Sequence, residues 1–201
     1  MRQNATFPIL GTTQHGTGSE FVLVLHDWLG DATTWQPIVP YLDAARFTYV
    51  FADLRGYGKS IALAGRYTVD EIAGDCLALA DALGWQRFHV MGHSMTGMVT
   101  ERLAADARER VKTAIAVCPI SAAGNKLDDA TRAFFLSTTD NDDAFRRLIK
   151  FVCTGLGEGW AEAKLRQNRE RVSPDCRAPY LTMLTTADFA GSVARFASFD
   201  V

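Results

Sequence analysis

Short, unbroken apolar segments alternate with stretches of helical periodicity along this chain, and this alternation restricts its fold more than any other feature. Four such segments lie at residues 21–25, 48–54, 88–91 and 113–117. They are typical of strands that are buried on both faces of a parallel sheet. Because helical stretches separate them, the pattern predicts right-handed crossovers and a doubly wound, mostly parallel α/β sheet.

The helical stretches carry their own start and stop signals. Thr68 and Glu71 are spaced as a capping box, in which each side chain accepts a hydrogen bond from a free backbone N–H. Gly84 can end the helix that follows. Ser173 with Pro174 predicts the start of another helix further along the chain.

The alternation ends after Pro119. Residues 122–190 contain helical pieces but no convincing strand, and the stretch is too long for an ordinary loop. We therefore predict an α/β core over residues 1–121, a helical cap over 122–190, and a return segment over 191–201 that leads towards further core strands. Four apolar residues are expected to share one face of a cap helix: Phe145, Leu148, Ile149 and Val152.

Composition and charge exclude several classes of partner. The chain has 48% hydrophobic and 22% charged residues and a formal net charge of −2, so we expect neither nucleic acid nor a membrane as a partner. No apolar segment approaches the roughly 18 residues of a membrane span, and residues 1–11 do not resemble a signal peptide. The widely spaced cysteines favour reduced thiols over zinc or dithiol chemistry. We expect a cytoplasmic protein that acts on a small molecule without metal or cofactor.

The most informative segment is Gly92-His93-Ser94-Met95-Thr96-Gly97, which lies between a predicted strand and a predicted helix. A nucleophile elbow requires this context, because a sharp strand-to-helix turn exposes the serine and needs small neighbours. Thr96 stands where the motif has its second glycine, and Gly97 follows it. At the start of the helix, the free N–H of Met95 can stabilise the oxyanion that forms when Ser94 attacks a carbonyl.

Two further segments complete the pattern. His26-Asp27-Trp28-Leu29-Gly30 follows the first predicted strand, and Asp53-Leu54-Arg55-Gly56-Tyr57-Gly58-Lys59-Ser60 follows the second. With the elbow, they resemble the α/β-hydrolase fold family, whose oxyanion loop commonly reads H-G-x-x-G and whose next turn reads D-x-R-G-x-G-x-S. The resemblance is greatest to the esterase, haloperoxidase and enol-lactonase branch. It implies an α/β-hydrolase fold in which Ser94 is the nucleophile and the backbone N–H groups of Trp28 and Met95 form the oxyanion hole.

Five residues are expected to support this site. Gly92 and Gly97 keep the elbow compact, His93 packs within it, and His26 anchors the oxyanion loop. Asp27 replaces the usual first glycine of that loop, where we expect a positive φ angle that Asp tolerates better than most residues. The turn at 53–60 is expected to be structural, with Asp53 and Arg55 pairing or capping nearby backbone. A phosphate-binding P-loop is excluded there, because Asp occupies the position that needs glycine.

The rest of a catalytic triad is missing from the sequence. In this fold the acid and the histidine follow the serine, but all four histidines (His15, His26, His89 and His93) precede Ser94. We therefore expect a truncated chain, or one part of a split protein, that lacks the last strands of the sheet. The missing segment or another chain would then cover the exposed sheet edge near residues 113–117.

The resemblance predicts a serine hydrolase for a small carboxylic ester, lactone or related acyl substrate, with weak or no activity for these 201 residues alone. Haloalkane and epoxide chemistry fits less well, because those branches place Asp where Ser94 stands. Two alternatives remain open: a hydrolase-like binding protein, and a cofactor-free dioxygenase on the same fold. Six aromatic residues are expected to line an acyl pocket or simply to pack: Trp35, Tyr57, Phe134, Phe135, Phe151 and Trp160.

Overall fold

The structure, a computed structural model, describes residues 9–194. The end of the predicted return segment and most of the N-terminal stretch compared with a signal peptide lie outside these residues. The described strands form one five-stranded sheet in the order β1-β3-β2-β4-β5. The strands are β1 (Thr12–His15), β2 (Glu20–Leu25), β3 (Phe47–Ala52), β4 (Phe88–His93) and β5 (Val111–Val117).

Strands β2 to β5 are parallel and correspond to the four predicted apolar segments. Strand β1 was not predicted; it pairs antiparallel with β3 and ends at His15. Seven α-helices accompany the sheet in the described residues. They are α1 (Val69–Ala82), α2 (Met95–Asp106), α3 (Asp129–Ser137), α4 (Asp142–Val152), α5 (Glu158–Arg171), α6 (Pro174–Thr186) and α7 (Ala190–Val193).

Both faces of β2 and β3 are buried, as the sequence predicted. Most of β5 is exposed, so the predicted burial on both faces is wrong for that strand, which is the outermost of the sheet on its side. In β2, Leu23 and Leu25 belong to the larger core with the helices, whereas Val22 and Val24 pack on the opposite face, with Phe51 of β3 among others. Alternate side chains of a strand point to opposite faces, so an uninterrupted apolar run fills two cores at once. The mixed sheet with its helices confirms the predicted α/β class, with a mostly parallel sheet.

The predicted helix signals are present, with one change. Thr68 caps α1 by accepting a hydrogen bond from the Glu71 N–H at 3.2 Å, and Gly84 follows the helix with a φ of +73°. The Glu71 carboxylate accepts instead from the N–H groups of Arg66 and Tyr67, each at 2.8 Å. The reciprocal half of the predicted capping box is therefore wrong, because the carboxylate binds the preceding turn.

Residues 122–190 are helical, as predicted, but their treatment as a separate cap stays a prediction. Ser173 and Pro174 begin α6 with the expected cap. In α4, Phe145, Leu148 and Ile149 are buried, whereas Val152 is half exposed, so the predicted four-residue face is one residue too long. Among residues 9–194, every helix falls short of the length or the apolar content needed to cross a bilayer.

A buried arginine joins three of these helices. Arg177 of α6 donates to the carbonyls of Asn168 and Val172 at the end of α5, at 3.3 and 2.7 Å. It also donates to Thr139, just after α3, at 2.8 Å. The negative ends of helix dipoles thus surround a guanidinium that has no carboxylate within 4.0 Å among the described residues.

Candidate active site

The sheet brings the turn at residues 92–97, predicted as a nucleophile elbow, next to the loop at residues 26–30, predicted as an oxyanion loop. Strands β2 and β4 are parallel neighbours, and Leu25 pairs with Gly92 at their carboxyl ends. His26, the first residue after β2, and His93, the last residue of β4, therefore lie next to each other at this edge of the sheet. Functional sites in open parallel sheets form at this carboxyl edge.

Ser94 occupies the sharp turn between β4 and α2. Its φ of 54° and ψ of −111° are strained for a residue with a Cβ atom, at a cost of roughly 1–3 kcal/mol. The last residue of β5 and the loop after it hold Ser94 in this conformation. The Ser94 N–H donates to Val117 at 2.9 Å, and the Ser94 carbonyl accepts from Ile120 at 3.1 Å. The surrounding backbone thus determines the conformation of Ser94.

Both glycines of the elbow are needed for space. A Cβ atom on Gly92 would lie 2.3 Å from the Thr96 carbonyl oxygen, and one on Gly97 would lie 2.8 Å from Pro119. These distances are well inside van der Waals contact. Because neither glycine has a side chain, β4, α2 and the loop after β5 can approach one another closely around Ser94.

Thr96 contributes a hydroxyl where the motif has glycine. The side chain is fully buried, and Oγ1 accepts from the His93 N–H at 3.0 Å and donates to the His26 carbonyl at 2.8 Å. The departure from the motif therefore ties the elbow to the loop after β2. The sequence offered no signal for this contact, because the two residues are 70 positions apart.

His26 fixes the peptide that bears the Trp28 N–H. Its Nε2 accepts from the Leu54 N–H at 3.1 Å, which leaves Nδ1 to donate to the Asp27 carbonyl at 2.7 Å. In a trans peptide the carbonyl and the next N–H point in opposite directions. The Trp28 N–H therefore points away from the buried His26 ring, in keeping with the anchoring role predicted for His26.

Asp27 does not adopt the predicted positive φ. The described non-glycine residues with positive φ are Tyr67, Ser94 and Cys118. Instead, the buried Asp27 Oδ1 accepts from the N–H groups of Leu29 and Gly30, at 2.6 and 3.0 Å. An acceptor side chain, and not backbone freedom, shapes this loop.

The Asp27 carboxylate is electrostatically stabilised. Burial alone raises the pKa of this group, but the hydrogen bond from His93 and the nearby charge of Lys164 outweigh it and hold the pKa below its usual value. His93 Nδ1 lies 3.4 Å from Asp27 Oδ2. His93 thus packs beside the elbow, as predicted, and faces the oxyanion loop.

Trp28 connects the loop to the helices that follow β5. Its carbonyl accepts from the Tyr57 hydroxyl at 3.0 Å, and its indole N–H donates to the Arg177 carbonyl of α6 at 2.9 Å. Its ring stacks on Phe135 of α3 with a centroid separation of 6.3 Å. Within residues 9–194, the backbone N–H groups of Trp28 and Met95 have no hydrogen-bond acceptor.

The turn at 53–60 is structural, and its two charged residues do not pair with each other. Asp53 accepts from the N–H groups of Ala32 and Lys59 at 2.9 and 2.8 Å. Arg55 forms a two-pronged ion pair with Asp75 of α1, with both N–O distances at 2.7 Å. The turn therefore positions Tyr57 between the sheet and α6.

In the described residues, none of the four histidines forms a hydrogen bond with the Ser94 hydroxyl. His26 bonds to backbone, His89 to Thr113 and Glu20, and His93 to Asp27.

Two cavities, of about 480 and 390 Å³, lie beside α6 and α5, and Ser94 lines neither of them. The predicted acyl pocket is not one of these cavities. Tyr57, one of its predicted aromatic residues, is fully buried.

Comparison with known proteins gives several relatives of part of this sequence. A dihydrolipoyllysine-residue acetyltransferase component of the acetoin cleaving system from Cupriavidus necator is 38% identical over 106 residues, or 52% of this chain and 28% of that protein. A fluoroacetate dehalogenase from a Burkholderia species is 35% identical over 96 residues, or 45% of this chain and 31% of that protein. The matches thus span under a third of these relatives.

Solved structures resemble nearly the whole chain. A bromoperoxidase from Bacillus anthracis has a TM-score of 0.79 at 23% identity. The match covers 92% of this chain and 73% of the bromoperoxidase chain. The enol-lactonase from Burkholderia xenovorans LB400 has a TM-score of 0.71 at 22% identity. The match covers 89% of this chain and 71% of the enol-lactonase chain. At this identity the likeness concerns the fold. The family model for the alpha/beta hydrolase fold matches residues 20–182. The chain therefore belongs to the alpha/beta hydrolase fold family.

Proposed function

We propose that this protein is a serine hydrolase whose Ser94 attacks the carbonyl carbon of a small carboxylic ester, lactone or related acyl substrate. The observation that carries the proposal is the strained turn at Ser94, with unpaired N–H groups at Met95 and at Trp28 on the neighbouring loop. Strain of this kind persists only where the surroundings enforce it, and it is concentrated at functional sites.

In the proposed reaction, Ser94 Oγ forms a bond to the carbonyl carbon, and the carbonyl oxygen becomes an oxyanion. The N–H groups of Met95 and Trp28 stabilise that charge, which is greater in the transition state than in the ester. Collapse of the tetrahedral species breaks the bond to the leaving alcohol, which takes a proton. Water then releases the acid from the acyl-enzyme, and no cofactor takes part.

A general base must accept the proton of Ser94 for efficient turnover. The histidines of this sequence have other partners, so we propose that the base and its acid partner come from outside the described residues. The described part then supplies the nucleophile and the oxyanion donors. Removing triad members from serine hydrolases leaves a residual rate of about 10³-fold over water, which sets the activity expected here.

Dehalogenase chemistry is not proposed, although one relative carries that name. The haloalkane branch of this fold family uses an Asp at the nucleophile position to displace halide, whereas this chain has Ser94 there. A hydroxyl without a base is a poor nucleophile towards a carbon–halogen bond. The paired amide donors suit a carbonyl oxygen instead.

Hydrolysis of p-nitrophenyl acetate by the 201-residue chain tests the proposal. We expect slow release of nitrophenol that saturates with substrate and disappears in Ser94→Ala. Ser121→Ala, at an exposed serine on the turn after β5, is the matched control and should keep the rate. Equal rates for the parent and Ser94→Ala would refute the proposal. Oxygen uptake with a heteroaromatic substrate would favour a dioxygenase, and saturable binding without Ser94-dependent chemistry would favour a binding protein.

A further inference from the structure

We propose that Tyr57 is a positioning residue for the oxyanion hole, acting through the carbonyl of Trp28. This inference rests on the proposed function and concerns how the Trp28 N–H is held. Tyr57 is fully buried, and its hydroxyl donates to the Trp28 carbonyl at 3.0 Å.

Trp28 lies between two peptide planes that are each fixed from a different side. The plane before it is held through the Asp27 carbonyl by His26 at 2.7 Å. The plane after it is held at both ends, because its carbonyl accepts from Tyr57 and its N–H, that of Leu29, donates to Asp27 Oδ1 at 2.6 Å. Fixing both planes leaves little freedom in the dihedral angles of Trp28, so its own N–H keeps one direction.

The backbone of Tyr57 is itself immobilised. Its N–H donates to the Leu54 carbonyl at 2.9 Å, and Tyr57 forms an isolated β-bridge with Val172. The preceding Gly56 has a φ of +82°, and a Cβ atom there would lie 2.6 Å from Cys176 Sγ. Because the Tyr57 backbone is fixed, its hydroxyl stays in place if the loop that contains Trp28 moves. The hydrogen bond therefore holds the Trp28 carbonyl in one position relative to α6.

The ring and the hydroxyl of Tyr57 have separable roles. The ring packs against His26 and Tyr180, with centroid separations of 4.4 and 5.5 Å. A phenylalanine would keep these contacts and lose only the donor to Trp28. Burial raises the pKa of Tyr57 well above its usual value, so the hydroxyl stays a neutral donor across the working pH range.

Tyr180 provides a matched control. It is also almost fully buried in the same aromatic cluster, and its hydroxyl donates to a backbone carbonyl, that of Arg55, at 3.2 Å. Tyr57→Phe and Tyr180→Phe each remove one oxygen and leave one buried carbonyl unpaired, so both variants should lose stability to a similar extent. Only Tyr57→Phe disturbs the oxyanion loop.

The test is the reaction of Ser94 with a fluorophosphonate, followed by intact mass over hours on the full chain. For Tyr57→Phe we expect the maximal labelling rate to fall roughly tenfold, less than the loss of a whole oxyanion donor. The half-saturating probe concentration should stay unchanged, because the donor acts on the negative charge that develops on the phosphonyl oxygen as Ser94 attacks and fluoride leaves. Tyr180→Phe should label within about twofold of the parent, because its hydroxyl binds the Arg55 carbonyl and makes no hydrogen bond to the loop that contains Trp28.

The outcomes are distinguishable. If the parent labels at Ser94 and Tyr57→Phe labels at the same rate, or if both variants slow equally, the positioning role of Tyr57 is overturned and the proposed function stands. If the parent does not label, the proposed function fails and this inference fails with it.

Should Tyr57→Phe not fold, 3-fluorotyrosine at position 57 keeps the donor and strengthens it. A maximal rate at or above the parent's supports the inference, and a lower one contradicts it.

Discussion

Thr96 shows how one side chain can replace a glycine in a tight turn and add a contact. Its hydroxyl bridges His93 of the elbow and His26 of the oxyanion loop. We predict that Thr96→Val, which keeps the shape and removes the hydroxyl, lowers the free energy of unfolding by about 1–3 kcal/mol. Thr100→Val is the control, because Thr100 is equally buried but bonds only to Gly97 within its own helix. Urea titration measures both, and equal losses would contradict the bridging role.

Asp27 gives a prediction on pH. Because its folded-state pKa is lowered, its charge stabilises the fold above its usual pKa of 3.8, and this stabilisation is lost as the pH falls through the lowered value. Asp27→Asn keeps an oxygen for Leu29 and Gly30, and it removes the charge together with the acceptor that faces His93. The stability difference between the parent and Asp27→Asn should be largest at neutral pH and shrink below pH 3.8. A difference that is independent of pH would contradict this account.

At the residue scale, the motifs located the candidate site, but they did not reveal how it is held. Gly92 and Gly97 follow from steric rules for a sharp turn, and the structure shows the contacts that require them. The expected positive φ at Asp27 is wrong, because a carboxylate that accepts two N–H groups achieves the turn in another way. Tyr57 and Trp28 are 29 positions apart, so only the folded arrangement could pair them.

At the scale of elements, Arg177 joins α3, α5 and α6. Its guanidinium occupies the carbonyl ends of α5 and the turn after α3, and only 6% of the residue is exposed. We predict that Arg177→Met costs about 2–4 kcal/mol in the free energy of unfolding, because buried carbonyls lose their donors. Arg66→Met is the control: the Arg66 side chain is 77% exposed, so this change should lower the free energy of unfolding only slightly. Chemical denaturation followed by circular dichroism checks this, and similar losses for both variants would contradict it.

Strand β5 is the outermost strand of the described sheet on its side, and much of it is exposed. An open apolar edge favours association with other strands. We predict concentration-dependent association of this chain, reduced in Ile115→Lys. Leu136→Lys on α3 is the control, because Leu136 and Ile115 are similarly exposed, at 48% and 49%. Sedimentation velocity distinguishes them, and an equal effect of both changes would show that the strand edge is not responsible.

The central parallel strands β2 and β3 were predictable because burial on both faces leaves an unbroken apolar run in the sequence. The segment of β5 has a similar apolar run although most of the strand is exposed, so the pattern located this strand but not its exposure. Strand β1, with the sequence TTQH, has no such run, since it lies at the other edge and is partly exposed. Its pairing with β3 is a tertiary contact that local pattern does not encode. Helix starts at Thr68 and Ser173 were predictable from capping chemistry, whereas the second acceptor role of Glu71 depends on the path of the preceding turn.

At the scale of the whole molecule, the sheet, the turn at 53–60 and the helices after β5 converge on one tryptophan. Trp28 receives a hydrogen bond from Tyr57, donates one to α6 and stacks on α3. The proposed oxyanion donor, the Trp28 N–H, therefore lies in a residue that contacts both the turn at 53–60 and the helices after β5. The fold and family could be inferred from three short motifs, but this convergence required the structure.

The most direct measurement of the central claim is the position of a fluorophosphonate adduct, mapped by peptide mass spectrometry after labelling the 201-residue chain. The account predicts that Ser94 carries the adduct, that no other serine does so at a comparable rate, and that prior unfolding in urea removes the selectivity. An adduct distributed evenly over exposed serines, or labelling that survives unfolding, would contradict a nucleophile activated by its backbone turn.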